Sequence, residues 1–328
     1  MNKKNYVLKR ILQMLISYLV ILTVLFFLFR LALPDPTAAL VVEGLSAEER
    51  EMVQARFGLD QSLWRQYITY LANFVRGELG LSFHYRAPVF PILLDRLYNT
   101  MALMIPAIAI SYLIGPALGV LLSWKRNTNV EFVGIVGGLI MRSAPLFWTG
   151  MIFVMILGIW MGIFPTGGMR TVPYEAAHFF DKIFTLDFLW HLILPMLTVA
   201  IYYLGLPMLI MRNTMLEVMG EDFIELCRAK GLSERRIMYH HIARNAMLPV
   251  VTQAAVTIGL AVGGQVVVEV VFSWPGLGRE IVQAVQTSDF PLAQGAFMMM
   301  SGLVLIMNFL ADMIYSYLDP RVGSGGGE

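Results

Sequence analysis

Long apolar runs separated by short polar stretches dominate the hydropathy pattern of this chain. A helix that crosses a membrane needs about 20 mostly apolar residues. Runs of roughly that length or more cover residues 11–33, 100–124, 132–164, 191–211, 249–272 and 292–318. The pattern therefore predicts an all-α polytopic membrane protein with six transmembrane helices.

The third run is too long for one straight crossing. Its 33 residues would measure about 50 Å at 1.5 Å per residue, whereas a hydrocarbon core is about 30 Å thick. Gly137, Gly138, Arg142 and Pro145 interrupt it, and glycine and proline are common causes of kinks. We expect its first part to lie at the membrane surface or to be kinked into the bundle.

The basic residues orient the predicted spans. Lysine and arginine in short loops favour the cytoplasmic side. They cluster before the first run, between the second and third, and between the fourth and fifth, at Lys3, Lys4, Lys9, Arg10, Lys125, Arg126, Arg212, Arg228, Lys230, Arg235, Arg236 and Arg244. With six spans these regions share one side, so both termini are predicted to be cytoplasmic. The first run lacks a small-residue cleavage site, which favours a retained first helix.

The order of runs and loops divides the chain. Residues 1–33 form a predicted N-terminal transmembrane helix, and residues 34–98 form a small external helical insertion. Apolar residues recur there at helical spacing, for example Phe57, Tyr67, Ile68 and Leu71. Residues 99–320 form a five-helix core with a polar loop at 213–248, and residues 321–328 form a flexible tail.

Composition narrows the function. Hydrophobic residues make up 57% of the chain and charged residues 14%, against about 25% charged in soluble domains. The net charge of +1 argues against nucleic acid as a partner. Cys227 is the one cysteine, so no internal disulfide is possible, and we expect it to be buried.

Sequence motifs for catalysis or cofactor binding are absent. Without a G-x-x-x-x-G-K-[ST] motif, any use of ATP must come from a partner chain. His240 and His241 are adjacent, so on a helix they would point about 100° apart and would not share a metal-binding face. We predict solvated histidines, no metal site and no catalytic residue, and hence a non-enzyme.

Three charges lie inside the apolar runs. Arg142, Glu269 and Asp312 are costly to bury in lipid. They either line a polar cavity or pathway and pair with one another, or they snorkel to the interfaces. A specific hypothesis is that Arg142 and Asp312, both predicted near cytoplasmic ends of spans, form an ion pair.

The polar loop between the fourth and fifth runs carries the segment "EDFIELCRAKGLSERR". It predicts a helix that is broken at Gly231, with Ser233 as the cap of a second helix. Phe223, Ile224 and Leu226 offer apolar contact beside the charges. Such a helix suits docking into a groove of another protein; the alternative is an amphipathic helix on anionic lipid.

This loop resembles the cytoplasmic loop of ATP-binding-cassette (ABC) importer permeases, whose general pattern is E-A-A-x-x-x-G with a later I-x-L-P. Glu225 and Gly231 match the pattern, Leu226 and Cys227 replace the two alanines, and Pro249 lies further from the glycine than usual. The stretches "RFGLDQSLWRQY", "SAPLFWTGM" and "FSWPGLGREIVQAV" are similar to the dipeptide, oligopeptide and nickel branch.

The resemblance implies the membrane domain of a type I ABC importer, with one N-terminal helix added to a five-helix core. The implied function is a multi-pass permease subunit of a prokaryotic cytoplasmic (inner) membrane that translocates di- or oligopeptides. Nickel complexes, glutathione or oligosaccharides are alternative cargoes. There are two competing interpretations: a stand-alone channel or secondary transporter, and an intramembrane hydrolase. Both leave the loop without a role.

The resemblance also implies partners: a paralogous second permease subunit, two ATPase subunits that bind ATP and Mg, an extracytoplasmic substrate-binding protein, and membrane lipid. The loop would be the coupling helix that contacts an ATPase through Glu221, Asp222, Glu225, Arg228, Lys230, Gly231, Leu232, Arg235 and Arg236.

A second amphipathic stretch follows the fifth run, in "FSWPGLGREIVQAVQTSDFPLAQ". Ile281, Val282 and Val285 predict the apolar stripe of a helix at the outer surface. It would lie near the pathway mouth or the binding protein, or be a simple interfacial helix.

Overall fold

The computed structural model describes residues 3–31, 61–172, 185–262 and 266–318. In these ranges the regular structure is helical, apart from one isolated bridge between Leu81 and Pro88, which confirms the all-α prediction for the described residues. The helices are α1 (Lys3–Leu31), α2 (Leu63–Arg76), α3 (Val89–Trp124), α4 (Asn129–Ser143), α5 (Leu146–Phe153), α6 (Leu186–Val218), α7 (Asp222–Ala229), α8 (Glu234–Arg236), α9 (Ala243–Val262), α10 (Val266–Val271), α11 (Leu277–Gln286) and α12 (Phe290–Leu318).

Four helices are long and apolar enough to cross a membrane. They are Val7–Arg30 of α1, Val89–Trp124, Leu186–Val218, and Phe290–Met313 of α12. The bent pair α4 and α5 makes a fifth candidate if it counts as one span. The fifth predicted run falls on α9 and α10, which are separated by residues outside the described ranges. Four or five candidate spans are therefore found among the described residues, and the predicted count of six is not confirmed.

The helices α3 and α6 form the closest pair of the bundle and run parallel, since Ser111, Gly115 and Gly119 meet Ala200, Leu204 and Met208 in the same order. A Cβ atom at Gly115 would lie 2.9 Å from the carbonyl oxygen of Leu204, and one at Gly119 would lie 2.5 Å from that of Met208. Ser111 also donates a hydrogen bond to the α6 backbone at 2.8 Å. Small residues four apart allow membrane helices to approach closely, so the sequence "GPALG" places these two backbones against each other.

The long third run is broken at Pro145. Helix α4 ends at Ser143, and Ala144 adopts an extended conformation (φ −65°, ψ 130°), as expected for a residue before proline. Helices α4 and α5 meet at 101°. The predicted interruption is confirmed at Pro145, whereas Gly137 and Gly138 lie inside α4.

Helix α4 packs along α6 in an antiparallel register. Arg212 pairs with Glu131, and seven residues further along each helix a Cβ atom at Gly205 would lie 2.6 Å from the carbonyl oxygen of Gly138. Gly138 therefore serves close packing and not chain breakage. Arg142 lies one further turn along α4, at the bend.

The described part of the external insertion packs on α1. The hydroxyls of Tyr67 and Thr23 lie 2.7 Å apart, and Tyr70 donates to the carbonyl of Leu22 at 3.3 Å. Burial raises the pKa of Tyr70 above its ordinary value, so its hydroxyl remains a donor. Predicted apolar positions such as Phe57 lie outside the described residues, and α3 begins at Val89, before the predicted start of the second run.

Candidate functional site

The predicted loop contains a short helix, α7, that follows α6 after a tight turn. Asp222 and Glu225 lie in its first turn and Arg228 in its last. Acidic residues near a helix N-terminus and basic residues near its C-terminus interact favourably with the helix dipole. The charges of the segment therefore favour a helix of this length at this place.

Helix α7 ends in a sharp elbow at Gly231, which has a left-handed φ of +75°. The amide of Gly231 donates to the carbonyl of Arg228 at 2.9 Å, and that of Leu232 donates to the carbonyl of Cys227 at 3.3 Å. These two bonds form a Schellman motif, in which glycine accepts φ > 0 without steric strain. The predicted break at Gly231 is confirmed.

The second predicted helix begins after Ser233, but the Ser233 side chain makes no capping hydrogen bond. Instead, Glu234 accepts a hydrogen bond from Arg228 Nε at 3.1 Å, which spans the elbow. After α8 the chain makes a π-helical turn, Ile237–Ile242, and continues into α9.

One face of α7 is buried against the long helices. Ile224 is fully buried and Cys227 is 9% exposed, as predicted for the cysteine. We call the cluster around them the loop seat. Its buried members are Val120, Met211, Met215, Ile224, Cys227, Ile237, Ile242, Ala243, Ala246 and Val250. Because these come from α3, α6, α7 and α9 together with the π-helical turn, α7 packs against three long helices at once.

The opposite face of α7 is exposed. Phe223 is 37% and Leu226 is 55% exposed. The predicted contribution of Ile224 to this outward face is wrong, because its side chain faces the loop seat. Of the nine predicted contact residues, Leu232 is partly buried and the other eight are exposed: Glu221, Asp222, Glu225, Arg228, Lys230, Gly231, Arg235 and Arg236. An apolar patch ringed by charge is available for a partner protein.

Of the two adjacent histidines, His240 is exposed and His241 is partly buried. The rings of His240 and His241 meet edge to face, with centroids 5.3 Å apart. Among the described residues, no group of three His, Cys, Asp or Glu side chains could hold a metal ion.

The hypothesis that Arg142 pairs with Asp312 is wrong. Asp312 pairs with Arg10 of α1, with 3.4 Å between a carboxylate oxygen and a guanidinium nitrogen. Arg142 lies at the bend between α4 and α5, where it lines a cavity of 310 Å³ with Tyr202 and Tyr203. The two residues therefore act in different parts of the bundle.

Glu269 is fully buried in a polar cluster toward the end opposite α7. Its carboxylate accepts hydrogen bonds from the Thr100 hydroxyl at 2.7 Å and from the Arg279 amide at 2.8 Å. A Cβ atom at Gly276 would collide with this carboxylate. In the structure Glu269 joins α3, α10 and the loop before α11, and it does not line the cavity at Arg142.

Other polar groups extend this cluster, which we call the polar knot. The Trp274 indole donates to the carbonyl of Asn99 at 2.8 Å, and the Asn99 side chain donates to the carbonyl of Pro275 at 2.9 Å. Arg96 Nε lies 2.7 Å from Glu280 Oε2. The polar knot comprises Arg96, Asn99, Thr100, Glu269, Trp274 and Glu280.

Helix α11 buries a different stripe from the predicted one. Leu277, Ile281 and Ala284 are buried, whereas Val285 is 54% exposed and Val282 is partly buried. The helix was correctly expected, but its inward face is rotated relative to the prediction.

Sequence reasoning did not find the pairing of Glu131 with Arg212 or the close approach at Gly115 and Gly119. The G-x-x-x-G spacing was a usable signal for the glycines. No local signal joins Glu131 to Arg212, because 81 residues separate them.

The described helices are those of a polytopic membrane protein whose polar loop is built firmly onto its long helices. Residues 115–324 match the family model described as binding-protein-dependent transport system inner membrane component. Residues 3–104 match the model for the N-terminal part of such membrane components. The chain belongs to this family, the ABC-importer permeases that its loop resembles.

Named relatives span nearly the whole chain. It is 32% identical over 334 residues to the dipeptide transport system permease protein DppB of Escherichia coli (strain K12), which covers 97% of this chain and 98% of that protein. It is 34% identical over 319 residues to the oligopeptide transport system permease protein AppB of Bacillus subtilis (strain 168), with the same two coverages. The glutathione transport system permease protein GsiC of Escherichia coli O6:H1 is also 34% identical over 319 residues.

A solved structure shares the fold. The inward-facing MetNI methionine ABC transporter superposes on 70% of this chain and 96% of its own chain, with a TM-score of 0.54 and 19% sequence identity. The type I importer membrane-domain fold is therefore confirmed, and this likeness carries no information about cargo.

Proposed function

We propose that this chain is one permease subunit of an ABC importer that moves short peptides across the cytoplasmic membrane of a prokaryote. Relatives named for dipeptide and oligopeptide transport, at 32% and 34% identity over nearly the whole chain, support a peptide cargo. The relative named for glutathione, itself a small peptide, falls in the same class.

The proposed assembly holds this chain, a paralogous permease subunit, two ATPase subunits and an extracytoplasmic binding protein. ATP and Mg are bound by the ATPase subunits, and this chain contributes no catalytic residue. With six spans and both termini in the cytoplasm, as the hydropathy and charge pattern predict, the basic loops, including α7, would lie on the side of the ATPases.

The observation that carries the proposal is that one side of α7 is buried and the opposite side is exposed. Its inner side, Ile224 and Cys227, is anchored in the loop seat, while Phe223 and Leu226 are exposed. A lever needs both properties, because it must be gripped by one body and fixed to another. Closure of the ATPases would move α7, and the loop seat would convey that movement to α6 and α9 and bias the bundle between two packings.

The test reconstitutes the complete importer in proteoliposomes and measures uptake of a radiolabelled dipeptide together with ATP hydrolysis. Glu225→Lys reverses an exposed charge on α7 and is expected to leave membrane insertion unchanged. Uptake per ATP hydrolysed should fall by about tenfold or more, since 1.4 kcal/mol of lost coupling corresponds to a factor of ten.

The control is Glu217→Lys, the same change at an exposed residue of α6 outside the predicted contact set, which should transport normally. Normal uptake by Glu225→Lys would overturn the coupling role. Uptake of a nickel chelate or a trisaccharide, with no uptake of dipeptides, would overturn the peptide cargo.

A further inference from the structure

The bend between α4 and α5 forms an open cavity of 310 Å³, and the exposed Arg142 lines it. Ligand pockets begin at about 300 Å³, so it is large enough for part of a small peptide. Phe147, Tyr202 and Tyr203 give it aromatic walls, and no acidic residue lines it.

This cavity lies level with the middle of α6, which is a candidate membrane span. Tyr202 is the central residue of the 33-residue helix α6, which places it about 24 Å from each end at 1.5 Å per residue. The antiparallel register of α4 on α6, with Glu131 at Arg212 and Gly138 at Gly205, carries Arg142 up to the same level. Lipid headgroups lie at the two surfaces, so this depth disfavours a lipid phosphate as the occupant.

Arg142 makes no ion pair or hydrogen bond with any other residue in the described part of the chain. A guanidinium cannot release its proton in a protein, and an unpaired charge at this depth is costly. Arg212, the arginine of α6, is by contrast paired with Glu131. The cation at the bend is therefore available to an anion that enters the cavity.

The first turn of α5 adds to the positive potential. Pro145, Leu146 and Phe147 line the cavity, and no side chain caps this helix start. The N-terminal amides of a helix carry partial positive charge, and interrupted helices in transporters commonly direct such ends at anionic groups of the substrate.

We infer that this cavity is a binding station for the carboxylate of the cargo during translocation, with Arg142 as its recognition residue. Arginine binds a carboxylate through two parallel N–H donors, and the aromatic walls contact the apolar part of the cargo. The inference rests on the proposed peptide cargo, because a peptide carries a C-terminal carboxylate whereas a neutral sugar does not.

The first test compares Arg142→Gln and Arg142→Lys in the complete importer in proteoliposomes. Arg142→Gln should lower dipeptide uptake by about tenfold or more, the effect of losing a charged hydrogen-bonded contact. Arg142→Lys keeps the charge but not the paired donors and should recover only part of it, and the control Arg126→Gln, an exposed cation outside the cavity, should transport normally. If wild type takes up no dipeptide, the proposed function fails. If wild type and Arg142→Gln take it up equally, the carboxylate station alone fails.

The second test removes selection by the binding protein. The purified importer in nanodiscs of neutral lipid is photo-cross-linked to a benzophenone-bearing dipeptide, supplied as the free acid or as the C-terminal amide. The free acid should label the α4–α5 bend or α6 more strongly than the amide does, and Arg142→Gln should abolish this difference. Equal labelling by acid and amide in wild type would overturn the inference. Labelling of wild type that anionic lipid displaces and a free dipeptide does not would assign the cavity to lipid.

Discussion

The loop seat and the polar knot hold short amphipathic helices on the bundle by different means. Ile224 and Cys227 of α7 pack in an apolar cluster, and the bonds that shape the elbow are local. Helix α11 also packs apolar residues, but it is in addition tied down by buried polar bonds, such as the Arg279 amide to Glu269 and Arg96 to Glu280. Apolar contacts are non-directional and tolerate small shifts, whereas buried hydrogen bonds require one geometry. The difference suits a movable lever at one end and a rigid frame at the other.

The largest expected effect on stability is that of Glu269→Ala, which disrupts the polar knot. The Thr100 hydroxyl and the Arg279 amide would lose their acceptor in a buried site. The free energy of unfolding should fall by about 3–5 kcal/mol, the usual cost when one partner of a buried charged group is removed. Thermal unfolding of the purified protein in nanodiscs measures it.

The matched control is Glu78→Ala, which removes an exposed carboxylate from the same end of the molecule and should change stability by less than about 0.5 kcal/mol. Equal stability of Glu269→Ala and Glu78→Ala would contradict the assignment of Glu269 as the centre of the knot.

A smaller effect is expected in the loop seat. Ile224→Ala removes a fully buried side chain and should destabilise by about 2–3 kcal/mol, toward the lower end for such truncations, because a short helix can shift into the space. Dipeptide uptake per ATP hydrolysed should fall by more than the loss of folded protein accounts for. An unchanged coupling ratio, measured as dipeptide uptake over ATP hydrolysed, would show that the seat conveys no movement.

A third, still smaller effect on stability is expected at the elbow, where a substitution tests the backbone conformation alone. Nothing lies within 4 Å of a Cβ atom placed at Gly231 or at Gly137, but Gly231 has a left-handed φ and Gly137 lies in a helix. Gly231→Ala should cost about 1 kcal/mol from left-handed strain, whereas Gly137→Ala should be neutral or stabilising. Equal melting temperatures for the two variants would refute the strain argument.

Local signals in the sequence predicted the elbow but not the inward face of α7. Gly231 signals the end of α7 because glycine adopts the left-handed conformation that closes many helices. Helical periodicity, however, gives α7 two adjacent apolar stripes, Phe223 with Leu226 and Ile224 with Cys227. Each pair is three residues apart and shares a face, and nothing local decides which face is buried. The positions of α6 and α9 decide it, and those are set by contacts distant in sequence.

The same limit explains the wrong ion pair. Arg142 and Asp312 are both charges in apolar runs, and pairing them required a guess about helix neighbours. The packing of α1 against α12 brings Arg10 to Asp312, while the bend at Pro145 takes Arg142 to Tyr202. Composition and hydropathy predicted the helices, but the partners of charged groups depend on which helices touch.

The smallest effect on stability is expected at the exposed face of α7. A substitution there should instead change the binding of the ATPase subunits. Leu226→Ser changes a side chain that is 55% exposed, so the free energy of unfolding should move by less than about 0.5 kcal/mol. Because Leu226 is the most exposed large apolar residue of α7, its loss should weaken the affinity of the ATPase subunits by about tenfold, as for an apolar anchor in an interface. Titration of purified ATPase subunits onto the permease pair measures this affinity.

Val285→Ser is the matched control, because Val285 is 54% exposed on α11 near the polar knot. It should alter neither stability nor ATPase affinity, since α11 lies at the opposite end of the bundle. If Val285→Ser weakened ATPase binding as much as Leu226→Ser does, the effect would reflect general surface hydrophobicity. A loss confined to Leu226→Ser would place the ATPase contact on α7 and leave the polar knot as the fixed part of the frame.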